Sequence, residues 1–499
     1  MERSGEDPRA AFVAAGVGHG TLEAAEAILA AHPEVRAGDV HTASILGDDV
    51  AVRRFLAEDA GNATAKSGPL GWDALTHLCF SRYLRLDRGR GDAFVRAARA
   101  LLDAGASAAS GYFDHDHTPP EWESALYGAA GVAHHAGVAR LLLERGADPN
   151  DGETVYHTPE THDNEALRAL VESGRLSPDS LASMLLRKAD WHDEEGVLFL
   201  LEHGADPNRM TRWGFGALHQ AARRDNALAI FERMLDHRAD PAIPDERRRP
   251  GPEPSGQSAI AIAARRGRGD VLALLERRGI PLELSGVLRL IAACARNDEA
   301  LVRAIAGSEP GTVRALLAEG GQRLAEFAGV GNEEGVLRLL DLGVPPGAAY
   351  HEDDGYWQIG RDSTALHVAA WRARHATVRV LLERGAPVDA RDGRGRTPLE
   401  LAVRACVDSY WTELRSPESV RALLAAGAST DGVPCPCGYA DVDELLVSPR
   451  GSVRPAARRA AGEAARARGG RSTPSSGGSR GAGGGTARDS GGESRRWRR

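Results

Sequence analysis

The chain has 499 residues, of which 42% are hydrophobic but only 5% aromatic, with a formal net charge of −8. That is few large side chains for one globular core of this length, which would ordinarily split into domains. No stretch approaches the ~20 apolar residues of a membrane span, no basic start followed by an apolar run marks a secretory signal, and five scattered cysteines make no disulfide framework.

The predicted elements follow one short phrase along the chain. Leu-Leu-x-x-Gly-Ala stands at Leu101–Ala106, Leu142–Ala147, Leu200–Ala205, Leu381–Ala386 and Leu423–Ala428. Twice it runs on into Asp-Pro-Asn, at Asp148–Asn150 and Asp206–Asn208. From glycine to glycine, Gly146 to Gly174 is 28 residues and Gly174 to Gly204 is 30. The next slot, 34 residues on, holds Arg238 instead of glycine. Gly279 to Gly343 is 64, or two units, and Gly343 to Gly385 and Gly385 to Gly427 are 42 each.

Upstream of each Leu-Leu lies a second phrase. It reads Ser124-Ala125-Leu126-Tyr127, Gly216-Ala217-Leu218-His219, Ser258-Ala259-Ile260-Ala261, Thr364-Ala365-Leu366-His367 and Thr397-Pro398-Leu399-Glu400. A Ser or Thr there caps a short helix by accepting an orphan backbone N–H, and Pro398 sits where a first-turn proline costs nothing. Paired alanines let helices approach closely, and the leucine run is the apolar stripe of a second helix. Glycine after Leu-Leu-x-x ends that helix in the left-handed conformation. Gly385→Val is therefore expected to cost over ~1 kcal/mol.

The two phrases resemble the ankyrin repeat family, whose period is about 33 residues. About twelve units are expected: degenerate ones at 9–37 and 38–66, then 70–110, 121–151, 152–178, 179–208, 211–241, 256–284, 286–312, 313–346, 361–390 and 393–430, with a half-unit at 438–447. The predicted fold is an all-α solenoid of stacked helix-turn-helix units with short β-hairpin connections over 1–449, followed by a disordered Gly/Ser/Arg-rich tail at 450–499. The tail carries 13 Arg against two Glu and one Asp, or +10, so the preceding 449 residues carry −18. Lysine occurs only at Lys66 and Lys188, a bias that, with abundant Ala and Gly, suggests a bacterial source.

The resemblance implies non-enzymatic protein–protein interaction, on the concave face formed by the hairpins and first helices. Aromatics ahead of the repeat leucine are the candidate partner-binding residues: Trp72, Trp122, Tyr156, Trp213 and the Tyr356-Trp357 pair. Such side chains bury much area at low entropic cost. His219 and His367 occupy the family's histidine position and are expected to be structural. Asp114-His115-Asp116-His117, His134-His135, His157, His162 and Trp191-His192-Asp193-Glu194-Glu195 offer an alternative, a metal- or small-ligand-binding receptor or even an enzyme, but none has a specific ligand spacing. Cys435-Pro436-Cys437 supplies two sulfurs, too few for a closed zinc site. Gly61–Ser67 lacks the glycine of a phosphate loop, and Gly477–Gly481 mimics a nucleophile elbow inside the tail. No nucleophile is set beside a base and an orienting group, so no enzyme, cofactor or metal is expected. The chain is expected to be a cytoplasmic monomer that binds another protein. Nucleic acid is left to the tail, opposed by the acidic body.

Overall fold

The computed structural model describes residues 7–116, 118–247 and 256–447, so the tail from 450 and most of the proline-rich stretch 244–256 lie outside the described residues. The rest is helical apart from two short antiparallel hairpins: β1 (Gly111–Asp114) with β2 (Glu121–Ser124), and β3 (Ala349–Tyr350) with β4 (Ser363–Thr364). Contacts divide the chain into two compact units, Met1–Glu319 with Glu334–Leu342, and Gly320–Glu333 with Gly343–Arg499.

In both units helices come in short antiparallel pairs, and the first helix of each pair packs on the first helix of the next. Several first helices open on a side-chain cap. Asp73 accepts from Thr76 N (2.8 Å), Ser124 from Tyr127 N (2.9 Å), Asp151 from Thr154 N (2.6 Å) and Ser177 from Ser180 N (3.1 Å). Thr397 and Glu400 cap reciprocally, at 3.2 and 3.0 Å. The paired alanines Ala129-Ala130, Ala221-Ala222, Ala263-Ala264 and Ala369-Ala370 have no exposed surface, as close helix approach requires.

The repeated phrase is a helix terminator. The alanine N–H reaches back five residues to the first leucine's carbonyl: Ala106 to Leu101 (3.0 Å), Ala147 to Leu142 (3.0 Å), Ala205 to Leu200 (3.0 Å), Ala386 to Leu381 (2.9 Å) and Ala428 to Leu423 (3.0 Å). The glycine N–H bonds the next carbonyl, as Gly385 does to Leu382 (3.0 Å). This is the Schellman arrangement, which needs a left-handed residue between the two donors. Gly385 supplies it with φ +78°, and a Cβ there would meet nothing within 4 Å. The penalty on Gly385→Val is thus backbone strain alone, about 1–2 kcal/mol. Arg238 holds the same slot with φ 65°, and Ala239 N still reaches Met234 O at 2.9 Å. Arg238→Gly should act in the opposite sense and stabilise by about 0.5–1 kcal/mol. Chemical denaturation of the two variants should move the midpoint in opposite directions, and a common direction would refute this placement.

The Asp-Pro-Asn that follows joins one pair to the next. Asn150 donates to Arg175 O (3.0 Å) and accepts from Ser177 N (2.7 Å). Two units later, Asn208 donates to Arg238 O (2.9 Å) and accepts from Asp240 N (2.7 Å).

The region 313–346, predicted to be one unit, is not a simple pair. Three helices cover it, Pro310–Ala318, Gly320–Val330 and Glu333–Asp341. In the second unit β3 and β4 lead into a core of Tyr350, Trp357, Ile359, Val368, Trp371 and Leu401, with Tyr356 and Trp411 packed against it. Trp371 Nε1 donates to Trp357 O at 2.6 Å, and the Arg372 guanidinium lies 3.6 Å from the Trp357 ring centroid.

Candidate partner-binding surface

The capped first helices carry their opening residues to one side of the first unit, and the aromatics ahead of each repeat leucine meet there. Trp72 stacks on Tyr112 of β1, with ring centroids 4.1 Å apart. Tyr112 meets Phe80 at 5.3 Å, and Phe80 meets Tyr127 at 5.7 Å. Tyr127 meets His157 at 5.3 Å, His157 meets Tyr156 at 4.8 Å, and Tyr156 meets Trp213 at 5.5 Å. Residues 72 to 213 thus form an unbroken ladder of rings. Arg187 lies over Tyr156 at 4.1 Å and Arg212 over Trp213 at 4.8 Å.

The sequence-predicted residues take different places along it. Trp72 is 9% exposed and sits in the packing, as does Trp357 in the second unit at 7%. Both fill core positions and offer little surface. Tyr156, Trp213 and Tyr356 are half-buried. Trp122 is 40% exposed and lies edge-on to Phe113, itself 55% exposed.

Carboxylates flank the ladder. One oxygen each of Glu121, Glu123 and Glu153 lies within 4.8 Å of the others, and Glu123 and Glu153 are buried. This group escaped the sequence reading. Its signal was there in two glutamates spaced i, i+2 on a strand, which share a face. The third comes from the first turn of the next unit's helix, Gly152–His157.

The histidines noted in the sequence serve packing and pairing instead of joining that group. His157 is buried between Glu153 (3.2 Å) and Glu160 (2.9 Å). Burial alone would lower its pKa, but hydrogen bonds to the two carboxylates outweigh it and raise it to about 9. Glu160 also pairs with Arg187, which pairs in turn with Asp190, and Asp190 accepts from Arg224 at 2.8 Å. Asp193 accepts from the fully buried Lys188 at 2.7 Å and caps the helix Glu194–Glu202 through Gly196 N. His135 Nδ1 accepts from Val138 N at 3.2 Å, and His162 lies edge-on to Trp191.

His219 and His367 have the structural role the sequence assigned them. Nδ1 accepts from the N–H of the capping residue, Gly216 (3.3 Å) or Thr364 (3.1 Å). Nε2–H donates into the following connection, to Ile243 O (2.9 Å) or Arg396 O (3.0 Å). Both rings are therefore neutral, and burial lowers both pKa values, that of His219 to about 4.

Known proteins agree with this architecture. The family described as ankyrin repeats (many copies) matches residues 185–235 and 354–402. A putative ankyrin repeat protein of Rickettsia bellii is 32% identical over 113 residues, which cover 20% of this chain and 44% of that protein. This chain is an ankyrin-repeat protein. It is also similar to serine/threonine-protein kinase 12 of Arabidopsis thaliana, 40% identical over 85 residues, or 17% of each chain. The ARF GTPase-activating protein Git of Drosophila melanogaster is 45% identical over 71 residues, 14% of this chain and 9% of that one. The matches thus span less than half the length of each of these relatives. The human ASB11 ankyrin repeat domain aligns at 19% identity over 55% of this chain and 98% of that one, with a TM-score of 0.24, too low to bear on how the repeats are arranged. Ankyrin repeats are generally protein–protein interaction modules, typically non-enzymatic. Among the described residues of this ankyrin-repeat chain, no helix is long and apolar enough to cross a membrane.

Proposed function

We propose that the chain is a non-enzymatic scaffold or adaptor, working as a cytoplasmic monomer, that holds another protein against the hairpins and first helices of residues 70–213. The ring ladder from Trp72 to Trp213 carries this reading. Its inner rings are packed by their neighbours, so the half-buried Tyr156 and Trp213 are held rigid and lose little freedom when covered. Tyr356 is a secondary candidate in the second unit.

The test is affinity capture by the full chain beside a Trp122→Ala/Trp213→Ala variant. A protein retained by the first and lost by the second supports the reading. A partner retained equally by both overturns the assignment of the face. Stoichiometric metal in the purified chain with no retained protein would favour the ligand-receptor alternative.

A further inference from the structure

We propose that the helices Val40–Leu46 and Ala74–Cys79 form an acid-operated joint, which opens when His41 and His77 take up protons together and so releases residues 7–66 from the repeats that follow. The device is independent of the interaction reading above.

The joint is built across two successive first helices. His41 is 4% exposed and His77 has no exposed surface, and their rings meet edge-on with centroids 5.2 Å apart. His77 Nδ1–H donates to Asp73 O at 2.9 Å, which leaves Nε2 to take a second proton. His77 Nε2 and His41 Nδ1 have no hydrogen-bond partner among the described residues. Nor do the buried hydroxyls of Thr42, Ser44 and Thr76 on the same two helices. Buried polar atoms left unpaired weaken the packing that encloses them. The structural histidines His219 and His367 differ, for both of their ring nitrogens are bonded. Two imidazoles in contact and out of water repel strongly once both are charged, and separation relieves that repulsion.

The charged groups facing the pair are Asp39 and Asp73, at the starts of the two helices, and Arg9 from the helix Pro8–Gly16. Asp39 caps Thr42 N at 2.8 Å and pairs with Arg9 at 2.9 Å, and Asp73 caps Thr76 N at 2.8 Å. The carboxylates favour charged rings, but burial outweighs them and keeps both rings neutral, with the His77 pKa lowered to about 4. On the other elements packed around the joint, Arg36 pairs with Glu26 and Asp49 with Arg53 and Arg96, while Arg82, Arg85 and Arg90 donate to backbone carbonyls. Asp92 and Arg99 are exposed.

Opening therefore takes up two protons at one place. An opened histidine titrates near 6.5, so below that pH the opened joint binds protons that the closed one does not. One ring favours opening by up to about tenfold per pH unit, and two rings by up to about a hundredfold. The opening need not spread, because each repeat couples chiefly to its neighbours. It lies at the foot of the ring ladder, where Trp72 is 5.4 Å from His77 and stacks on Tyr112.

The experiment is amide hydrogen exchange of the full chain at about pH 7, 6 and 5, with each rate divided by the intrinsic rate at that pH. Opening of Val40–Leu46 and Asp49–Glu58 should grow more steeply than one proton allows, towards about a hundredfold per pH unit. The helices Ala259–Arg265 and Gly286–Ala295, which carry no histidine, should stay level. His41→Phe or His77→Phe should cut the slope to about tenfold, and the double variant should remove it. Circular dichroism reports that the variants fold. Where one does not, the slope in the unaltered chain decides alone. A slope of one proton or fewer there, exchange that rises equally along the whole chain, or a steep rise that survives in a folded double variant would overturn the proposal.

Discussion

Lys188→Met is expected to destabilise the middle of the first unit by about 3–5 kcal/mol, the usual consequence of stranding one member of a buried ion pair. The Lys188 side chain has no exposed surface, and its ammonium donates to Asp193 Oδ2 at 2.7 Å and to Thr161 O at 2.5 Å. Burial lowers the Lys188 pKa and the Asp193 carboxylate opposes that fall. Methionine fills the stem's volume, so the loss reads out charge more than packing. Asp193 would keep Asn164 Nδ2 (2.9 Å) and Gly196 N (3.0 Å) but would lose its counter-ion while 5% exposed. Because repeats couple chiefly to their neighbours, the damage should be local. Amide hydrogen exchange should quicken in the helices Pro178–Asp190 and Glu194–Glu202 and far less in Ala74–Cys79. Adding Asp193→Asn should recover much of the loss, since asparagine can still cap Gly196 without a buried charge. A double variant as unstable as the single one would place the cost in packing, and unchanged exchange in Lys188→Met would refute the argument.

The legible parts of this molecule were those written at short spacing. Leu-Leu-x-x-Gly-Ala is a complete terminator, with both carbonyls, the left-handed residue and both donors inside six residues, so its function could be read wherever it stood. For the same reason Arg238 could be placed in a glycine slot, where its φ of 65° confirms it. His219 and His367 were legible because half of their bonding is to their own helix cap. What escaped depends on partners from other repeats. Trp72 and Trp122 look alike in sequence, each just ahead of a repeat leucine, but Tyr112, forty residues beyond Trp72, turns one ring inward, while the other lies on the outer face of its hairpin. Glu153, His157 and Glu160 are spaced for one helical face, but whether that face is wet or buried is set by Tyr127 and Arg187 from the adjoining units. The extra helix Pro310–Ala318 was hidden because 64 residues between glycines divide neatly into two ordinary repeats.

Stability should peak near neutral pH and fall on both sides, through histidines of opposite sign. His77 and His219 are buried and neutral, each with its pKa lowered from 6.5 to about 4, with burial as the largest cause. His77 Nδ1–H donates to Asp73 O at 2.9 Å, and its ring lies edge-on to His41, 5.2 Å away. His219 already accepts at Nδ1, so a proton there would break the Gly216 bond. The unfolded chain takes up these protons as pH drops below 6.5 and the folded chain does not until about 4. Stability therefore rises with pH across that window, by about 3 kcal/mol for each group. The lowered pKa values of His41 and His367 add in the same direction. His157 does the reverse. Its pKa is raised from 6.5 to about 9, so its contribution is complete below 6.5 and is lost as pH climbs through 9. A pH series of denaturant midpoints should show both limbs. His219→Gln should flatten the acid limb and leave the alkaline one, because glutamine cannot take up the proton. His157→Gln should flatten the alkaline limb alone. An acid limb that survives the removal of both His77 and His219 would assign it to the other buried histidines, His41, His134, His135 and His367, or to the carboxylates Glu160, Asp190 and Asp193, whose pKa values are lowered by their cationic and hydrogen-bonding partners.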